Sequence, residues 1–220
     1  GDIYVKKAGS AARKLQITVR SDKNDDNLAE LSVAGGSDND LSADGNQIAF
    51  ISRGEVFVAS TEYNTVKKIT DTPEAEADVV FSPDGKKLAY ASEREGIWNI
   101  YTAELVRKED ISFPYATLIE EKPLFKNNKV DRRAPVYSPD GKELAYIEDR
   151  DRLMIMNLET GKTRQITDGS QCYSTTGSFS YSWSPDGKWI LMSYCARNHY
   201  PYDDIGIVST KGGEPMINLT

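Results

Sequence analysis

Histidine and cysteine are scarce in this sequence of 220 residues, which holds one histidine, His199, and two cysteines, Cys172 and Cys195. That set is too small to build a structural zinc site from cysteine and histidine side chains. The sequence also lacks a G-x-S-x-G elbow, a G-x-x-x-x-G-K-[ST] phosphate loop, an H-E-x-x-H pair and a G-x-G-x-x-G turn. We therefore expect no metal, no cofactor and no catalytic residue here, so the chain taken alone is not predicted to be an enzyme.

Positive charge and long apolar runs are also in short supply. Lysine and arginine number 27 against 34 aspartates and glutamates, which gives a net charge of −7. Such a chain has no broad cationic face for phosphates, and it has no run of about 18 apolar residues that would span a bilayer. We therefore expect neither nucleic-acid binding nor membrane insertion. The N-terminus shows no signal segment, but the chain opens within a strand pattern, so localisation cannot be read there.

What the sequence does contain is an internal repeat built around Ser-Pro-Asp-Gly. Its copies start 40, 56 and 46 residues apart: SADGNQIAF at Ser42, SPDGKKLAY at Ser82, SPDGKELAY at Ser138 and SPDGKWILM at Ser184. A weaker motif runs out of phase with it and ends in Ile-Thr or Leu-Thr, as at Thr70, Thr167 and Thr220. Together the two motifs predict four short strands in each unit.

Ser-Pro-Asp-Gly is typical of a tight turn between two antiparallel strands. Proline presets φ at about −65° for the first corner, aspartate tolerates the second, and glycine takes the following position with φ > 0. An aspartate that bonds its own turn is favoured over one that binds a cation. The residues assigned to these structural turns are Pro83, Asp84, Gly85, Pro139, Asp140, Gly141, Pro185, Asp186 and Gly187.

Four-stranded antiparallel units at this spacing predict an all-β fold, the β-propeller. We place blades at 19–70, 71–127, 128–168 and 169–220, preceded by a half blade at 1–18, within a single propeller domain or fragment. About four and a half blades are then present, as in a partial or open propeller. An antiparallel sandwich or a solenoid is the alternative fold, and residues Leu28 to Val33 would supply an extra strand if the ring closed on five units.

The S-P-D-G-K-x-[LI]-A-[FY] core, with the closing Ile-Thr, resembles the propeller repeats shared by TolB, tricorn protease and dipeptidyl-peptidase-type enzymes. The stretch ISRGEVFVAS, from Ile51 to Ser60, looks most like the second propeller of a tricorn-like serine peptidase. The resemblance implies a propeller that guides peptides toward a separate serine peptidase domain. Ala43 replaces the turn proline of the first copy, and no segment matches the catalytic domain or the PDZ-like module of that family.

Loops between the second and third strands should emerge at the end opposite the Ser-Pro-Asp-Gly turns. Mixed charges collect there, and arginines beside a channel mouth suit the termini and side chains of a peptide. A solvated loop rim is the alternative interpretation. The candidate binding residues are Arg53, Arg94, Arg150, Arg152 and Arg197, with His199 and Tyr200 in a loop of the last blade.

Two further groups of residues have the side chains of a structural site, one acidic and one of cysteines. Asp22, Asn24, Asp26 and Glu30 have the spacing of a calcium loop, but Asn27 stands where that loop needs glycine, so a solvated acidic loop is predicted. Cys172 and Cys195 flank one hairpin, so a disulfide between them is possible. Such a disulfide would indicate an oxidising, extracytoplasmic compartment such as the periplasm. Two separate thiols are the alternative.

Two functions remain open at this point. In the first, the chain is a non-catalytic propeller segment of a tricorn-like serine peptidase and guides or gates peptide substrates or acts as a scaffold. In the second, it is a TolB-like extracytoplasmic protein-interaction module without peptidase activity. The expected partners are a peptide or protein and, under the first hypothesis, the peptidase and PDZ-like domains of the parent chain.

Overall fold

The structure of the protein is a computed structural model that describes residues 3–15, 36–170, 179–195 and 204–220. The chain divides into two compact units, Gly1–Val33 and Ala34–Thr220. Strands β1 to β18 account for nearly all regular structure in the described ranges, together with two short 3₁₀ helices, Arg94–Gly96 and Phe113–Tyr115.

The first unit contains one small antiparallel hairpin. Its strands, β1 (Tyr4–Val5) and β2 (Arg13–Lys14), are two residues long. They pair Tyr4 with Lys14 and Val5 with Arg13, and the N–H of Leu15 donates to the carbonyl of Ile3 at 2.8 Å. The acidic segment from Asp22 to Glu30 and the strand suggested for Leu28 to Val33 lie outside the described residues.

The second unit contains four antiparallel sheets of four strands, each running in chain order. Sheet 1 comprises β3 (Ser37–Leu41), β4 (Gln47–Ser52), β5 (Glu55–Ser60) and β6 (Val66–Lys68). Sheet 2 comprises β7 (Glu76–Phe81), β8 (Lys87–Ser92), β9 (Asn99–Leu105) and β10 (Ile119–Pro123). Sheet 3 comprises β11 (Arg132–Tyr137), β12 (Glu143–Glu148), β13 (Arg152–Asn157) and β14 (Thr163–Gln165), and sheet 4 comprises β15 (Tyr181–Trp183), β16 (Trp189–Tyr194), β17 (Asp204–Ser209) and β18 (Ile217–Asn218).

These sheets confirm the predicted all-β propeller of four-stranded antiparallel blades. The repeat predicted them because each Ser-Pro-Asp-Gly copy joins the first and second strands of one sheet, as at 82–85 between β7 and β8. The blade limits taken from the repeat stay a prediction, because strand pairing defines a sheet and not the limits of a domain.

The second strand of sheet 2, β8, is buried on both faces. In β8, Leu88, Ala89, Tyr90 and Ala91 are each 0% exposed, although their side chains alternate between the two faces of the sheet. This arrangement requires a neighbouring sheet on each side. The outermost strand β6 is different, since Val66 is 55% exposed. Leu41 of the innermost strand β3 is 54% exposed as well, so burial in sheet 1 is greatest in its central strands β4 and β5.

Three apolar clusters fill the spaces between successive sheets. The first joins sheets 1 and 2 and includes Val58 and Leu88, the second joins sheets 2 and 3 and includes Tyr146, and the third joins sheets 3 and 4 and includes Ile155 and Ile190. Each side chain of this size stabilises the fold by about 1.5–3 kcal/mol when it is fully buried. Sheet-on-sheet packing is thus the main source of stability in the second unit.

The connection between β9 and β10 folds back onto sheet 1, which the repeat did not predict. Phe113, at the start of the second 3₁₀ helix, is 0% exposed and packs in the cluster between sheets 1 and 2. Its N–H donates to the side-chain oxygen of Gln47 at 2.8 Å, and the ammonium of Lys67 donates to the carbonyl of Ala116. Residues 106–118 therefore act as a strap from sheet 2 across sheet 1.

Candidate functional site

The Ser-Pro-Asp-Gly turns form one end of each sheet and share a single hydrogen-bond pattern. In the copy at 138–143, the hydroxyl of Ser138 donates to Asp140 Oδ1 at 2.7 Å and accepts the N–H of Glu143 at 2.9 Å. The N–H of Gly141, at φ +70°, donates to the carbonyl of Ser138 at 2.9 Å. The copies at 42–47, 82–87 and 184–189 repeat these bonds.

The aspartate carboxylates of these turns accept hydrogen bonds from groups within the same turn. The hydrogen bond from the serine hydroxyl lowers the pKa of Asp44, Asp140 and Asp186, and a backbone N–H two residues later adds to the effect. Within the described ranges, no group of three or more His, Cys, Asp or Glu side chains is placed to hold a metal ion. The turn end therefore has a structural pattern that repeats from sheet to sheet.

The opposite end of the sheets, which we call the loop end, carries the loops at 53–54, 93–98 and 149–151. Arg53 and Arg150 lie at the tips of two of these loops and are exposed. Both have left-handed backbones, with φ of +52° and +72°, a conformation that is uncommon for residues other than glycine. Such strained positions often occur where a loop contacts a ligand, so among the predicted arginines that the structure describes these two are the best placed.

Arg94 lies at the same end but is bound within the protein. Its guanidinium donates to Glu121 at 2.8 Å, approaches Glu76 at 3.4 Å and lies 4.3 Å from the ring centroid of Tyr101. Burial is the largest single influence and opposes its charge, but the hydrogen bond to Glu121 and the negative charges around the guanidinium together raise the pKa of Arg94. We therefore assign Arg94 to holding sheet 2 together rather than to binding a partner.

Arg152 is likewise surrounded by carboxylates. It forms ion pairs with Glu148 at 3.5 Å, with Asp151 at 3.8 Å and with Asp149 at a shorter distance. These acidic groups neutralise its charge and fix the turn at 149–151.

Of the other predicted residues, Arg197, His199 and Tyr200 lie outside the described residues, as does Cys172. Cys195 is buried, and its disulfide with Cys172 stays a prediction.

The innermost strands contain a feature that sequence reasoning missed. Each of β3, β7 and β11 has a register shift, and the residue at the shift has a positive φ: Asp38 (+44°), Asp78 (+57°) and Ala134 (+52°). The N–H of Asp78 donates to Asp38 Oδ2 at 3.3 Å, and the N–H of Ala134 donates to Asp78 Oδ2 at 2.9 Å. A carboxylate of one sheet thus caps the strained backbone of the next.

Arg133 joins this arrangement at the loop end of β11. It donates to both oxygens of Asp78, at 3.0 and 3.2 Å, and its guanidinium lies 4.4 Å from the ring centroid of Trp98. A signal for these residues was present in the sequence. Asp38, Asp78 and Ala134 each lie four residues before the serine of a repeat copy, so extending the alignment upstream would have found them.

Among the described residues, no helix is long and apolar enough to cross a membrane.

No protein-family model matches the chain. Two curated proteins do match. The uncharacterized peptidase YuxL of Bacillus subtilis (strain 168) is 30% identical over an alignment of 144 residues, which covers 63% of this chain and 20% of that protein. The Tol-Pal system protein TolB of Francisella tularensis is 28% identical over an alignment of 184 residues, which covers 78% of this chain and 38% of TolB.

Solved structures agree on the fold. TolB from Agrobacterium tumefaciens superposes with a TM-score of 0.62 at 21% identity, over 83% of this chain and 61% of that one. Tricorn protease superposes with a TM-score of 0.53 at 15% identity, over 100% of this chain and 20% of the protease. The chain resembles the TolB and tricorn propellers. At these identities the structures show the TolB- and tricorn-like fold alone, and the chain spans less than two fifths of either curated relative.

Proposed function

We propose that this chain is a non-catalytic propeller segment of a larger, tricorn-like serine peptidase, in which it guides or gates peptide substrates or acts as a scaffold. One observation carries the proposal: the curated peptidase match covers 63% of this chain but only 20% of the peptidase. Tricorn protease repeats that relationship, since it aligns with all of this chain over 20% of its own length. The peptidase and PDZ-like domains would then belong to other parts of the parent protein.

The loop end is the surface proposed to meet the peptide. Arg53 and Arg150 present guanidinium groups from exposed loop tips, and an arginine fork pairs well with a peptide carboxylate. Arg152 supports the 149–151 loop through its ion pair with Glu148, and Arg94 holds sheet 2 together through Glu121. Because both loops emerge from the same end of their sheets, one extended peptide would meet several of these side chains.

Hydrolysis and binding measured together test this proposal. We expect the purified chain to leave unstructured peptides intact and to bind them with an affinity that falls in the double variant Arg53→Ala/Arg150→Ala. Arg107→Ala is the matched control, because Arg107 is an exposed arginine of the strap. Peptide turnover that disappears in His199→Ala would contradict the non-catalytic assignment. Equal loss of binding in the control would contradict the assignment to the loop end.

A second candidate function is a TolB-like protein-interaction module without an attached peptidase. It is favoured by the longer curated match, 78% of this chain against TolB, and by the higher TM-score of 0.62 with a TolB structure. Sequence beyond residue 220 separates the two candidates. A PDZ-like region followed by a serine peptidase supports the first, and the end of the protein soon after the last blade supports the second.

We also propose that the protein works outside the cytoplasm, in the periplasm or an equivalent compartment. The match to a Tol-Pal system protein supports this location, and a Cys172–Cys195 disulfide would be stable there. Peptide mapping of the protein from its native host, alkylated before and after reduction, tests the pairing. A free thiol at both positions in the unreduced sample would remove the disulfide from the argument.

A further inference from the structure

A groove lies between sheets 2 and 3. Its walls are the segment that follows β10, residues 124–132, and the β13–β14 hairpin, residues 156–161. The groove has a volume of about 690 Å³, which is within the range of pockets that enclose an organic ligand or a few peptide residues. We call it the 124–161 groove.

The floor of the groove is apolar and fixed in place. Leu124, Phe125 and Leu158 are partly buried against the cluster between sheets 2 and 3. The Phe125 ring lies edge-on to Tyr146, with 5.1 Å between centroids, and its backbone carbonyl accepts the side chain of Asn99 at 2.8 Å. A ligand would therefore meet a preformed surface and would not have to order it.

The rim of the groove is basic. Arg132 stacks on the Phe125 ring at 4.1 Å, but its charge is paired with Glu148 at 2.7 Å. Lys126 and Lys129 are both exposed, and neither forms an ion pair with any described residue. Glu159 is the one carboxylate among the residues that line the groove. This local excess of positive charge contrasts with the net charge of −7 for the whole chain.

We propose that the 124–161 groove binds an extended acidic peptide segment that carries an apolar side chain. The apolar side chain packs on Leu124, Phe125 and Leu158, and flanking carboxylates pair with Lys126 and Lys129. A nucleic acid fits less well, because two lysines neutralise few phosphates and the remaining surface is acidic. This inference rests on the proposed peptide-binding function and gives it a second site with a defined ligand chemistry.

Fluorescence anisotropy with three short labelled peptides tests the proposal on the full chain. The first peptide has one Phe flanked by Asp and Glu, the second replaces those acids with Lys and Arg, and the third replaces Phe with Ser. We expect the first to bind most tightly and to weaken as salt rises. The variant Lys126→Glu/Lys129→Glu should weaken it about tenfold or more, because the rim then repels the ligand.

Two further variants locate the binding. Lys86→Glu/Lys188→Glu makes the same charge change on two exposed turn lysines and should leave the affinity near the wild-type value. Leu158→Ala should weaken the Phe peptide but not the Ser peptide. Circular dichroism confirms that each variant is folded.

The outcomes separate this site from the broader function. Equal weakening by both charge reversals, or tighter binding of a single-stranded oligonucleotide than of the acidic peptide, overturns the groove proposal alone. If the acidic peptide binds and only Arg53→Ala/Arg150→Ala weakens it, the groove is again wrong while the peptide-binding function stands. No binding of any peptide overturns both.

Discussion

The carboxylate of Asp78 in sheet 2 accepts the backbone N–H of Ala134 in sheet 3 at 2.9 Å. Both residues have positive φ, at equivalent positions of their innermost strands. A backbone held in this uncommon conformation costs about 1–3 kcal/mol, which the surrounding contacts must offset. The link between these two residues therefore fixes the register of one sheet against the next.

Asp78→Ala is expected to lower the free energy of unfolding by about 1–3 kcal/mol, since it leaves the Ala134 N–H and the Arg133 guanidinium without their shared acceptor. Urea denaturation measures the change. Asp38→Ala is the matched control, because Asp38 is exposed and makes a longer bond of 3.3 Å to the equivalent N–H of Asp78. Equal effects of the two substitutions would show that the Asp78 contacts add nothing.

Gly141→Val is expected to destabilise the protein by about 1 kcal/mol or more through backbone strain at φ +70°. A side chain at this position would meet Pro83 Cδ at 3.5 Å, an ordinary contact, so the cost comes from the backbone and not from a clash. Thermal unfolding measures it. Lys142→Val, one residue later, is the control for adding valine to this turn, and a midpoint equal to that of the control would disprove the turn geometry.

Glu76→Gln is expected to change how stability depends on pH. Burial raises the pKa of the Glu76 carboxyl above its ordinary value of 4.5, although Thr72, Ser92 and Arg94 favour the charged form. The folded state then holds this proton more tightly than the unfolded chain. The stability that comes from Glu76 is therefore fully present below pH 4.5 and is lost as pH rises through the raised pKa.

Urea titrations across this pH range test the sign. The free energy of unfolding of the wild type should fall relative to that of Glu76→Gln as pH rises above 4.5. Glu62→Gln changes an exposed glutamate and serves as the control. Wild-type and Glu76→Gln curves that run parallel through the range would be the contrary result.

Amides of the β1–β2 hairpin are expected to exchange with solvent faster than those of β8. The hairpin has two residues in each strand, and Tyr4 is 59% exposed, whereas Leu88 and Tyr90 are 0% exposed. Solvent-exposed hydrogen bonds of a short hairpin open at low free energy, whereas those of a buried central strand do not. Hydrogen exchange followed by mass spectrometry measures the difference, and equal protection of β1 and β8 in a monomeric sample would refute it.

The amino-acid sequence by itself determined the repeat unit and its turns. Serine, aspartate and glycine at fixed spacing satisfy one another's hydrogen bonds within six residues, as in the bonds among Ser138, Asp140 and Glu143. The apolar runs on either side then have to pair as antiparallel strands. Contacts of this kind are local, so the sequence was enough to predict four-stranded units and the propeller fold.

Only the tertiary structure decided which charged side chains are available to a partner. Arg53 and Arg94 looked alike in the sequence, yet Arg94 is bound to Glu121 and Tyr101 while Arg53 stays exposed. The tertiary structure also decided the position of Phe113, which follows β9 of sheet 2 but packs beside Gln47 of sheet 1. The partners of these side chains lie 7 to 66 positions away along the chain, with the long separations set by sheet stacking. A local sequence pattern does not indicate which sheets become neighbours, because stacking is driven by the burial of apolar surface, which is not directional.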